Sequence, residues 1–410
     1  MADSTVKSPE TERPLLRTVL TGLCITQIAA WGVLYYAFPV LSAEITADTG
    51  WSTSAITAGF SAALVVSALV GIPVGKILDV RGPRMVMTAG SCLAALGLLI
   101  LSWAPSLPVF VVGWLVVGVA MAGTLYPPAF AAVTRWYGAR RVFALTMVTL
   151  VGGLASTVFA PLTQALTGYM DWRGVYTVLA VMLAVVTIPV HAVVLRRTWP
   201  AAHNTEDPQG DADYSNRILR SGAYICMVLG LGLGSLAAFA GLINLVPMLI
   251  ERGVSPTTAA WVLGVGGIGQ VLGRLFYARL ARGTTVRART VMIFGLLAVT
   301  TAALAVDLTH GLLLMGISML AGTSRGISTL LQATAVTDRW GPRAYGRLSG
   351  VMSAPIMLAV AVSPWLGAVT AEQLNSFEAM YLILAGIGVL AAALLGFSIP
   401  RTRSPDSSGE

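Results

Sequence analysis

The chain has 410 residues, of which 56% are hydrophobic and only 11% are charged. Its mean hydropathy is +0.78, and a soluble protein of this size has too little interior to hide so much apolar surface. The formal net charge of +8 is spread along the chain rather than gathered in one patch, which argues against a nucleic-acid partner. The composition therefore predicts an all-α protein that crosses a lipid bilayer many times.

Apolar segments of about 20 residues or more, the length needed to cross the hydrocarbon core, occur twelve times. We predict spans at 16–43, 53–75, 85–103, 107–134, 142–168, 174–196, 221–250, 257–281, 290–307, 311–336, 345–370 and 378–399. The first apolar run is too long for the core of a signal peptide. A polar segment divides the chain, so we predict an N-terminal six-helix bundle at 1–197, a central loop at 198–219 and a C-terminal six-helix bundle at 220–410.

Lysine and arginine are distributed unevenly between the two faces of this arrangement. With both termini cytoplasmic, 22 of the 26 basic residues fall in cytoplasmic loops, in the tails or at the cytoplasmic ends of spans. Arg173 and Arg252 fall in outward loops, and Arg274 and Arg325 lie deeper within spans. Such an excess is the positive-inside bias. We therefore expect a multi-pass protein of the inner, or plasma, membrane with cytoplasmic N- and C-termini.

Signatures of catalysis are absent from the sequence. There is no phosphate-cradling GxxxxGK[ST] loop, no cluster with metal-ligand spacing and no evident acid–base pair. The cysteines Cys24, Cys92 and Cys226 all lie in apolar spans, where we expect them to pack rather than to form disulfides. We expect no enzyme activity, no catalytic residues, no metal and no cofactor.

The two halves of the chain resemble each other. The segment AVTRW at 132–136 follows span 4, and AVTDRW at 335–340 follows span 10. Pro161 in span 5 and Pro364 in span 11 are 203 residues apart, close to the offset of those segments. Repeats of six spans are parallel and related by an axis along the membrane normal. Chance similarity between alanine- and valine-rich helices is the alternative.

The turn after span 2 carries a motif. Residues 75–84 read GKILDVRGPR, which resembles the G-x-x-x-D-x-x-G-x-R signature of the major facilitator superfamily in its characteristic place. Together with twelve spans and a central loop, the resemblance covers nearly the whole chain. It implies the major facilitator fold, in which two six-helix bundles rock around a central cavity, and we expect the protein to work as a monomer.

Four residues of this motif are gating candidates: Gly75, Asp79, Gly82 and Arg84. The two glycines permit close backbone approach and a tight turn. Asp79 would lie at the cytoplasmic surface near Tyr345, where span 11 begins, and the partial positive charge of that helix end would hold it. Such a latch would join the bundles on the inside. The alternative is a solvated turn whose charges only set the topology.

A narrower resemblance is to monocarboxylate transporters and oxalate–formate-type antiporters. It rests on the loop RWYGARR at 135–141, on YYAFP at 35–39 in span 1, and on Gln270 and Arg274 in span 8. Two positions depart from the animal monocarboxylate carriers, which place Asp where this chain has Gln270 and Lys where it has Val40. These departures argue against proton coupling by those routes.

Two arginines lie within spans, although no Asp or Glu lies comparably deep. A charge at bilayer depth is costly, so Arg274 and Arg325 are expected to face the protein interior or a water-filled path. The planar guanidinium matches a carboxylate through paired N–H donors, and we predict that both arginines bind an organic anion. The alternatives are snorkelling of Arg274 to the cytoplasmic surface and, for Arg325, contacts with backbone carbonyls.

Further candidates share helix faces with these arginines or lie in neighbouring spans. In span 8, Gln270 would orient the Arg274 guanidinium, and the small Gly266 and Gly267 would leave room for a ligand. The remaining candidates for substrate binding are Tyr35, Tyr126, Asn244 and Gln332. For the amides the alternative is hydrogen bonding between helices, and for the tyrosines it is packing with a satisfied hydroxyl.

The leading hypothesis is a secondary active transporter that moves a small, monocarboxylate-like organic anion by alternating access. Its coupling partner would be a proton or a counter-anion. The alternatives are a proton-driven exporter of larger amphipathic compounds and a substrate sensor that keeps the fold and transports nothing. The first is weakened because drug–proton antiporters usually need a membrane acid, and the second because the tails and central loop are short for a signalling module.

Overall fold

The computed structural model describes residues 9–199, 209–307, 310–341 and 345–400. Twelve long helices make up most of this part of the chain. Labelled α1 to α12 in chain order, they are Leu16–Thr49, Thr53–Arg81, Pro83–Ser102, Leu107–Tyr137, Arg141–Thr167, Trp172–Val194, Gly222–Ile243, Pro256–Gly283, Val286–Ala305, Gly311–Thr334, Tyr345–Leu374 and Phe377–Phe397. Shorter helices lie at Gln209–Leu219, Leu245–Glu251 and Thr337–Trp340. The predicted all-α membrane fold is confirmed.

Eleven of these twelve helices are apolar enough to count as membrane spans by themselves. The exception is α10, which has 24 residues but carries an arginine among serines and threonines. Its glycines lie directly against the backbone of α8: a Cβ added at Gly322 would meet the carbonyl of Gly266, and one at Gly326 would meet the carbonyl of Gln270. Protein contacts rather than lipid therefore accommodate this polar helix.

Several helices extend past the predicted spans. The prediction ended span 2 at residue 75, but α2 continues to Arg81 and stops where Gly82 adopts a φ of 74°. Asp79 and Arg81 thus lie in the last turn of a helix and not in the expected loop. Hydropathy falls where a helix leaves the hydrocarbon, whereas the helix itself ends only at a residue that can leave the helical conformation.

The predicted central loop at 198–219 contains the helix Gln209–Leu219. In this helix the Tyr214 hydroxyl donates to the carbonyl of Trp340 at 3.1 Å, and Ile218, one turn later, is buried. The apolar residues that hold this helix against the C-terminal half are few, so its overall polarity indicated a loop. Residues 200–208 of the predicted loop lie outside the described part of the chain.

Several long helices are interrupted within the membrane. A π-helical turn at Gly32–Tyr36 interrupts α1. Breaks occur at Leu125 in α4, at Leu154 in α5, and at Asn244 between α7 and Leu245–Glu251. Irregular backbone at membrane depth is tolerated where it is buried in protein or lines a cavity. These interruptions therefore mark positions where a binding site is expected.

Each half anchors an arginine at or just after the end of its fourth helix to the segment that follows its sixth helix. In the first half, Arg135 at the end of α4 lies over the ring of Trp199, just after α6, with 4.4 Å to the ring centroid. In the second half, Arg339 after α10 donates to the carbonyl of Ser398, just after α12, at 3.2 Å. Burial lowers the pKa of Arg339 to about 10, so it stays charged at neutral pH. The sequence echo therefore reflects equivalent positions in a parallel repeat.

The helix ends divide into two sides. Turns near residues 81–84, 138–141 and 282–289 lie on one side, which we call the basic side because arginines cluster there. Turns near residues 50, 104, 170, 253 and 376 lie on the opposite side. Described residues near both ends of the chain lie on the basic side, since the number of crossings between them is even.

The halves are joined on the opposite side and separate on the basic side. One core cluster draws on both halves and includes Phe38, Leu249 and Tyr381. Toward the basic side each half has its own cluster, which contains Trp136 in the first half and Met352 in the second. The structure is therefore open toward the basic side and closed toward the opposite side.

Candidate substrate-binding site and gates

Arg274 in α8 reaches across to the other half of the molecule. A terminal guanidinium nitrogen donates to the backbone carbonyl of Thr149 in α5. Its Nε is buried and has no hydrogen-bond partner among the described residues. The side chain is half-buried and points across to α5 rather than along α8 toward the basic side. It therefore keeps unused donors at the level where the two halves meet.

A glycine pair in α5 brings Tyr126 next to Arg274. A Cβ added at Gly152 would lie 2.5 Å from the Tyr126 hydroxyl, and one added at Gly153 would lie 3.0 Å from a terminal nitrogen of Arg274. Both polar groups therefore rest on the same stretch of backbone, immediately before the break in α5. Any larger residue at either position would push one of them away.

Aromatic rings from α1 and α4 line the wall beside this pair. The ring of Tyr126 lies between those of Trp31 and Phe130, with 4.9 Å between centroids on both sides. The break at Leu125 starts a new helical segment at Tyr126. The indole nitrogen of Trp31 is buried and has no hydrogen-bond partner in the described part of the chain. The wall thus offers apolar surface together with an unused N–H donor.

Arg325 in α10 lies on the second half's side of the site. One of its terminal nitrogens rests against Gly266 of α8, where an added Cβ would approach to 3.1 Å. It forms no ion pair with any carboxylate of the described residues. Tyr35, Tyr36 and Tyr381 are close enough to interact with it electrostatically. A half-buried cation that pairs with no described carboxylate can bind an anion from the opening.

Tyr36 was not selected from the sequence as a site residue, yet it lies near both arginines. It interacts electrostatically with both Arg274 and Arg325 and is 7% exposed. The π-helical turn Gly32–Tyr36 places an extra residue in α1, which rotates the side chains that follow relative to a regular helix. The predicted Tyr35 instead has a buried hydroxyl without a hydrogen-bond partner among the described residues.

The amide candidates have different surroundings. Asn244 is 1% exposed and donates to two backbone carbonyls, one of them that of Pro364 in α11 at 3.2 Å. It therefore makes the hydrogen bond between helices that was the alternative to substrate binding. Gln270 and Gln332 are half-buried. Within the described residues no hydrogen bond joins Gln270 to Arg274, so the expected orienting contact is not formed in this conformation.

The expectation that Gly266 and Gly267 leave room for a ligand differs from what the structure shows. The space beside Gly266 is taken by Arg325, and the space beside Gly267 is taken by the hydroxyls of Ser156 and Thr157 in α5. Small residues let neighbouring helices approach closely. These glycines therefore serve helix packing here, and the room for a ligand lies toward the opening on the basic side.

Glu372 near the end of α11 closes the opposite side. Its carboxylate accepts a hydrogen bond of 2.7 Å from the backbone N–H of Ser54 in the first turn of α2, where the helix dipole favours negative charge. Farther toward the middle, the backbone N–H of Trp365 donates to the Ser61 hydroxyl at 3.1 Å. Both contacts join the first half to the second.

On the basic side, the four gating candidates contact their own half. Asp79 forms an ion pair with Arg135 and reaches no described residue of α11. Gly75 faces open space, Gly82 forms the turn with its φ of 74°, and Arg84 donates to a carbonyl of α6 at 2.9 Å. The latch between Asp79 and α11 therefore stays a prediction, for a conformation that is closed on this side.

A family model identifies the chain. The model described as Major Facilitator Superfamily matches residues 23–249 and, in a second match, residues 225–410. The chain belongs to the major facilitator superfamily. It is a membrane transporter, and members of this family are not enzymes. The motif at 75–84, the twelve helices and the parallel halves are all features of this family.

Similar curated proteins include monocarboxylate transporters. Monocarboxylate transporter 13 of Bos taurus is 28% identical over 391 residues, which cover 92% of this chain and 88% of that protein. Monocarboxylate transporter 11 of Homo sapiens is 25% identical, with 89% of this chain and 78% of that protein covered. The chain is thus homologous to monocarboxylate transporters, and the narrower resemblance is confirmed.

Solved structures show the same fold. A bacterial homolog of the human lysosomal transporter Spinster, inward-facing and occupied, superposes with a TM-score of 0.74 at 15% identity, covering 94% of this chain and 97% of that one. The nucleoside transporter NupG superposes with a TM-score of 0.71 at 15% identity, covering 93% and 98%. At such identity the likeness concerns the fold alone, and it confirms the major facilitator fold.

Proposed function

We propose that this transporter carries a small organic anion with a carboxylate group, bound between Arg274 and Arg325, by alternating access across the inner or plasma membrane. One observation carries the proposal: both guanidiniums lie where the halves meet, and neither pairs with a carboxylate of the described residues. The homologous monocarboxylate transporters support a carboxylate as the chemical class.

The free energy of burial favours an anionic ligand. A guanidinium taken out of water without a counter-charge is costly, and a bound anion offsets that cost. One terminal nitrogen of Arg274 already donates to the carbonyl of Thr149. Its buried Nε has no hydrogen-bond partner among the described residues, and the guanidinium edge formed by Nε and the other terminal nitrogen can hold a carboxylate in a two-point contact. Arg325 supplies a second positive charge, and the Tyr36 hydroxyl is a polar group near both arginines.

The basic side faces the cytoplasm in this proposal, because cytoplasmic loops carry an excess of arginine and lysine. The described conformation is then inward-open, with the site reachable from the cytoplasm and closed from outside by Glu372 and the common core cluster. Binding an anion between α8, α10 and α1 links elements of both halves. Such a ligand can therefore favour closure on the basic side.

The substitution Arg274→Lys tests the site. Lysine keeps the charge but loses the planar fork, so the Kd for a small monocarboxylate is expected to rise about tenfold or more. Arg279→Lys, an exposed position on the same helix, is the matched control and should bind as the wild type does. Purified protein titrated with lactate, pyruvate and acetate gives the Kd values, and uptake into proteoliposomes gives transport.

Two outcomes would contradict the proposal. If Arg274→Lys binds and transports the monocarboxylates as well as Arg279→Lys does, the arginine is not part of the site. If the wild type binds them but moves none across the membrane, the chain is a sensor rather than a carrier.

A further inference from the structure

A groove on the outer surface of the first half lies far from the central opening. It is about 540 Å³ in volume and is formed by α3 and α6 at the basic side. Its floor consists of small side chains, among them Ala89, Cys92 and Ala192. Met85, Ala89 and Cys92 in its lining are exposed, and exposed apolar side chains of a membrane span are expected to face lipid.

Arginines gather at the end of this groove nearest the basic side. Arg81 ends α2 and Arg84 begins α3, on either side of the one-residue turn at Gly82. Arg84 and Arg196 both donate through Nε to the carbonyl of Ala192, at 2.9 and 3.2 Å. Because Nε holds each guanidinium in place, the terminal nitrogens remain available at the mouth of the groove.

This positive end has no acidic counterpart in the described residues. None of the three arginines forms an ion pair there. Asp79, one turn before Gly82, is already paired with Arg135, and its carbonyl accepts from Trp199. The N-terminus of α3 adds partial positive charge, since no side chain caps it. An anion is therefore the ligand that fits this end.

The groove continues as an apolar stripe along α3. Met85, Ala89, Cys92 and Leu96 follow one another at helical spacing and are all exposed. From Met85 to Leu96 the helix rises about 16 Å, which is about the depth of one leaflet of the hydrocarbon core. The surface thus combines a positive end with an exposed apolar stripe that is about as long as one leaflet is deep.

We propose that this groove binds an anionic phospholipid of the leaflet on the basic side. The phosphate accepts from Arg84 and Arg196, with Arg81 adding positive charge, and an acyl chain lies against Ala89 and Cys92. Basic pockets between membrane helices on the cytoplasmic side are suited to such headgroups. Each CH₂ group of the chain that is buried contributes further affinity, which a soluble phosphate lacks.

Native mass spectrometry of the purified full-length transporter tests this proposal. Phosphatidylglycerol, phosphatidylcholine with the same acyl chains, and inorganic phosphate are titrated separately. We expect phosphatidylglycerol to be retained at least tenfold more tightly than phosphatidylcholine. Inorganic phosphate at the same concentration should not displace it, because it lacks the chain.

Two kinds of variant separate the headgroup from the chain. The double variant Arg84→Gln with Arg196→Gln should lose about tenfold in phosphatidylglycerol affinity. A control double variant, Arg282→Gln with Arg287→Gln, removes two exposed arginines from the basic side of the other half and should retain the lipid. Ala89→Trp fills the groove without changing charge and should weaken retention too, with thermal unfolding confirming that each variant is folded.

Three results would overturn the proposal. Equal retention of the two lipids would reduce the groove to ordinary lipid contact. Unchanged phosphatidylglycerol affinity in the arginine variant would place the lipid elsewhere. Displacement by inorganic phosphate at equal concentration would show a site for soluble anions.

Discussion

Tyr35 and Tyr36 are neighbours in the chain but have different roles in the structure. Tyr36 interacts electrostatically with both Arg274 and Arg325, whereas Tyr35 interacts with Arg325 alone of the two, and its hydroxyl is buried without a hydrogen-bond partner among the described residues. A hydrogen bond to a charged group is worth about 1.5–3 kcal/mol. We therefore expect Tyr36→Phe to raise the Kd for the anion about tenfold, and Tyr35→Phe to change it by less than about twofold. Equal losses in a direct binding titration would contradict the assignment.

The glycine pair of α5 permits a second test at the scale of single residues. In Gly152→Ala the new methyl would stand where the Tyr126 hydroxyl now lies, so that hydroxyl must move away from Arg274. We expect anion affinity to fall several-fold while the protein stays folded. Gly232→Ala is the matched control, because a Cβ there meets nothing within 4 Å and alanine favours the helix. A titration and a thermal unfolding midpoint for each variant decide the matter.

Among the helices, α2 and α11 have matching ends. Each carries a carboxylate as its third residue from the C-terminus, Asp79 in α2 and Glu372 in α11. The carboxylate of Glu372 meets the N-terminus of α2 on the closed side. On the open side, glycines of both helices, Gly75 and Gly350 among them, face empty space. These uncovered surfaces are available for contact between α2 and α11 when the basic side closes.

Glu372→Gln is expected to weaken closure on the opposite side. A carboxylate at a helix N-terminus contributes about 0.3–1 kcal/mol, so losing its charge should shift the ratio of conformers up to about fivefold toward opening on that side. Labelling of cysteines introduced at that mouth measures the shift. Glu378→Gln, an exposed carboxylate in the first turn of α12, is the control, and equal labelling of the two variants would show that Glu372 does not act as a latch.

The predicted latch places Asp79 at the N-terminus of α11 when the basic side closes. If so, Asp79→Asn should have the reverse effect: the protein should open more toward the basic side, and turnover should be slower. The ion pair with Arg135 complicates this test, because the same substitution breaks it. Arg135→Gln breaks the ion pair and leaves the carboxylate in place. A similar rise in labelling for both variants would mean that only the ion pair matters, and an unchanged level with normal transport would make the motif a topology signal.

For the whole molecule, charge balance predicts how transport is coupled. Two carboxylates, Glu44 in α1 and Asp307 after α9, lie toward the opposite side and already have partners. Glu44 accepts a hydrogen bond from the backbone N–H of Trp172 at 2.9 Å, and Asp307 lies 4.0 Å from Arg252. No carboxylate of the described residues stands beside Arg274 or Arg325. An empty carrier would thus have to reorient with two unneutralised cations, which is costly.

Anion exchange is therefore expected to outpace net uptake. A bound anion lowers the cost of reorientation, so proteoliposomes preloaded with the substrate should take up labelled substrate several-fold faster than empty ones. The control is preloading with a neutral compound of similar size. Fast net uptake into vesicles without internal anion, driven by an imposed pH gradient, would contradict this prediction and would require a proton site.

The fold could be read from the sequence to a large extent, since its determinants are local or additive. Hydropathy accumulates along each span, arginines accumulate in loops, and the motif at 75–84 is contiguous. The twelve helices, the parallel halves and the family followed from these properties. Helix ends were less accurate, as α2 and the helix Gln209–Leu219 show, because a helix outside the hydrocarbon has no strong hydropathy signal.

The sequence by itself determined which residue types lie at membrane depth, including two arginines without an acid. Only the tertiary structure decided which of them meet. Tyr36 and not Tyr35 interacts with both arginines, in a π-helical turn that changes which residues share a helix face. The Asn244 amide donates to a carbonyl of the neighbouring α11. Glu372 accepts a hydrogen bond from Ser54, which lies 318 residues away in the sequence. Such contacts depend on the rotation and register of packed helices, which neither composition nor spacing along one helix specifies.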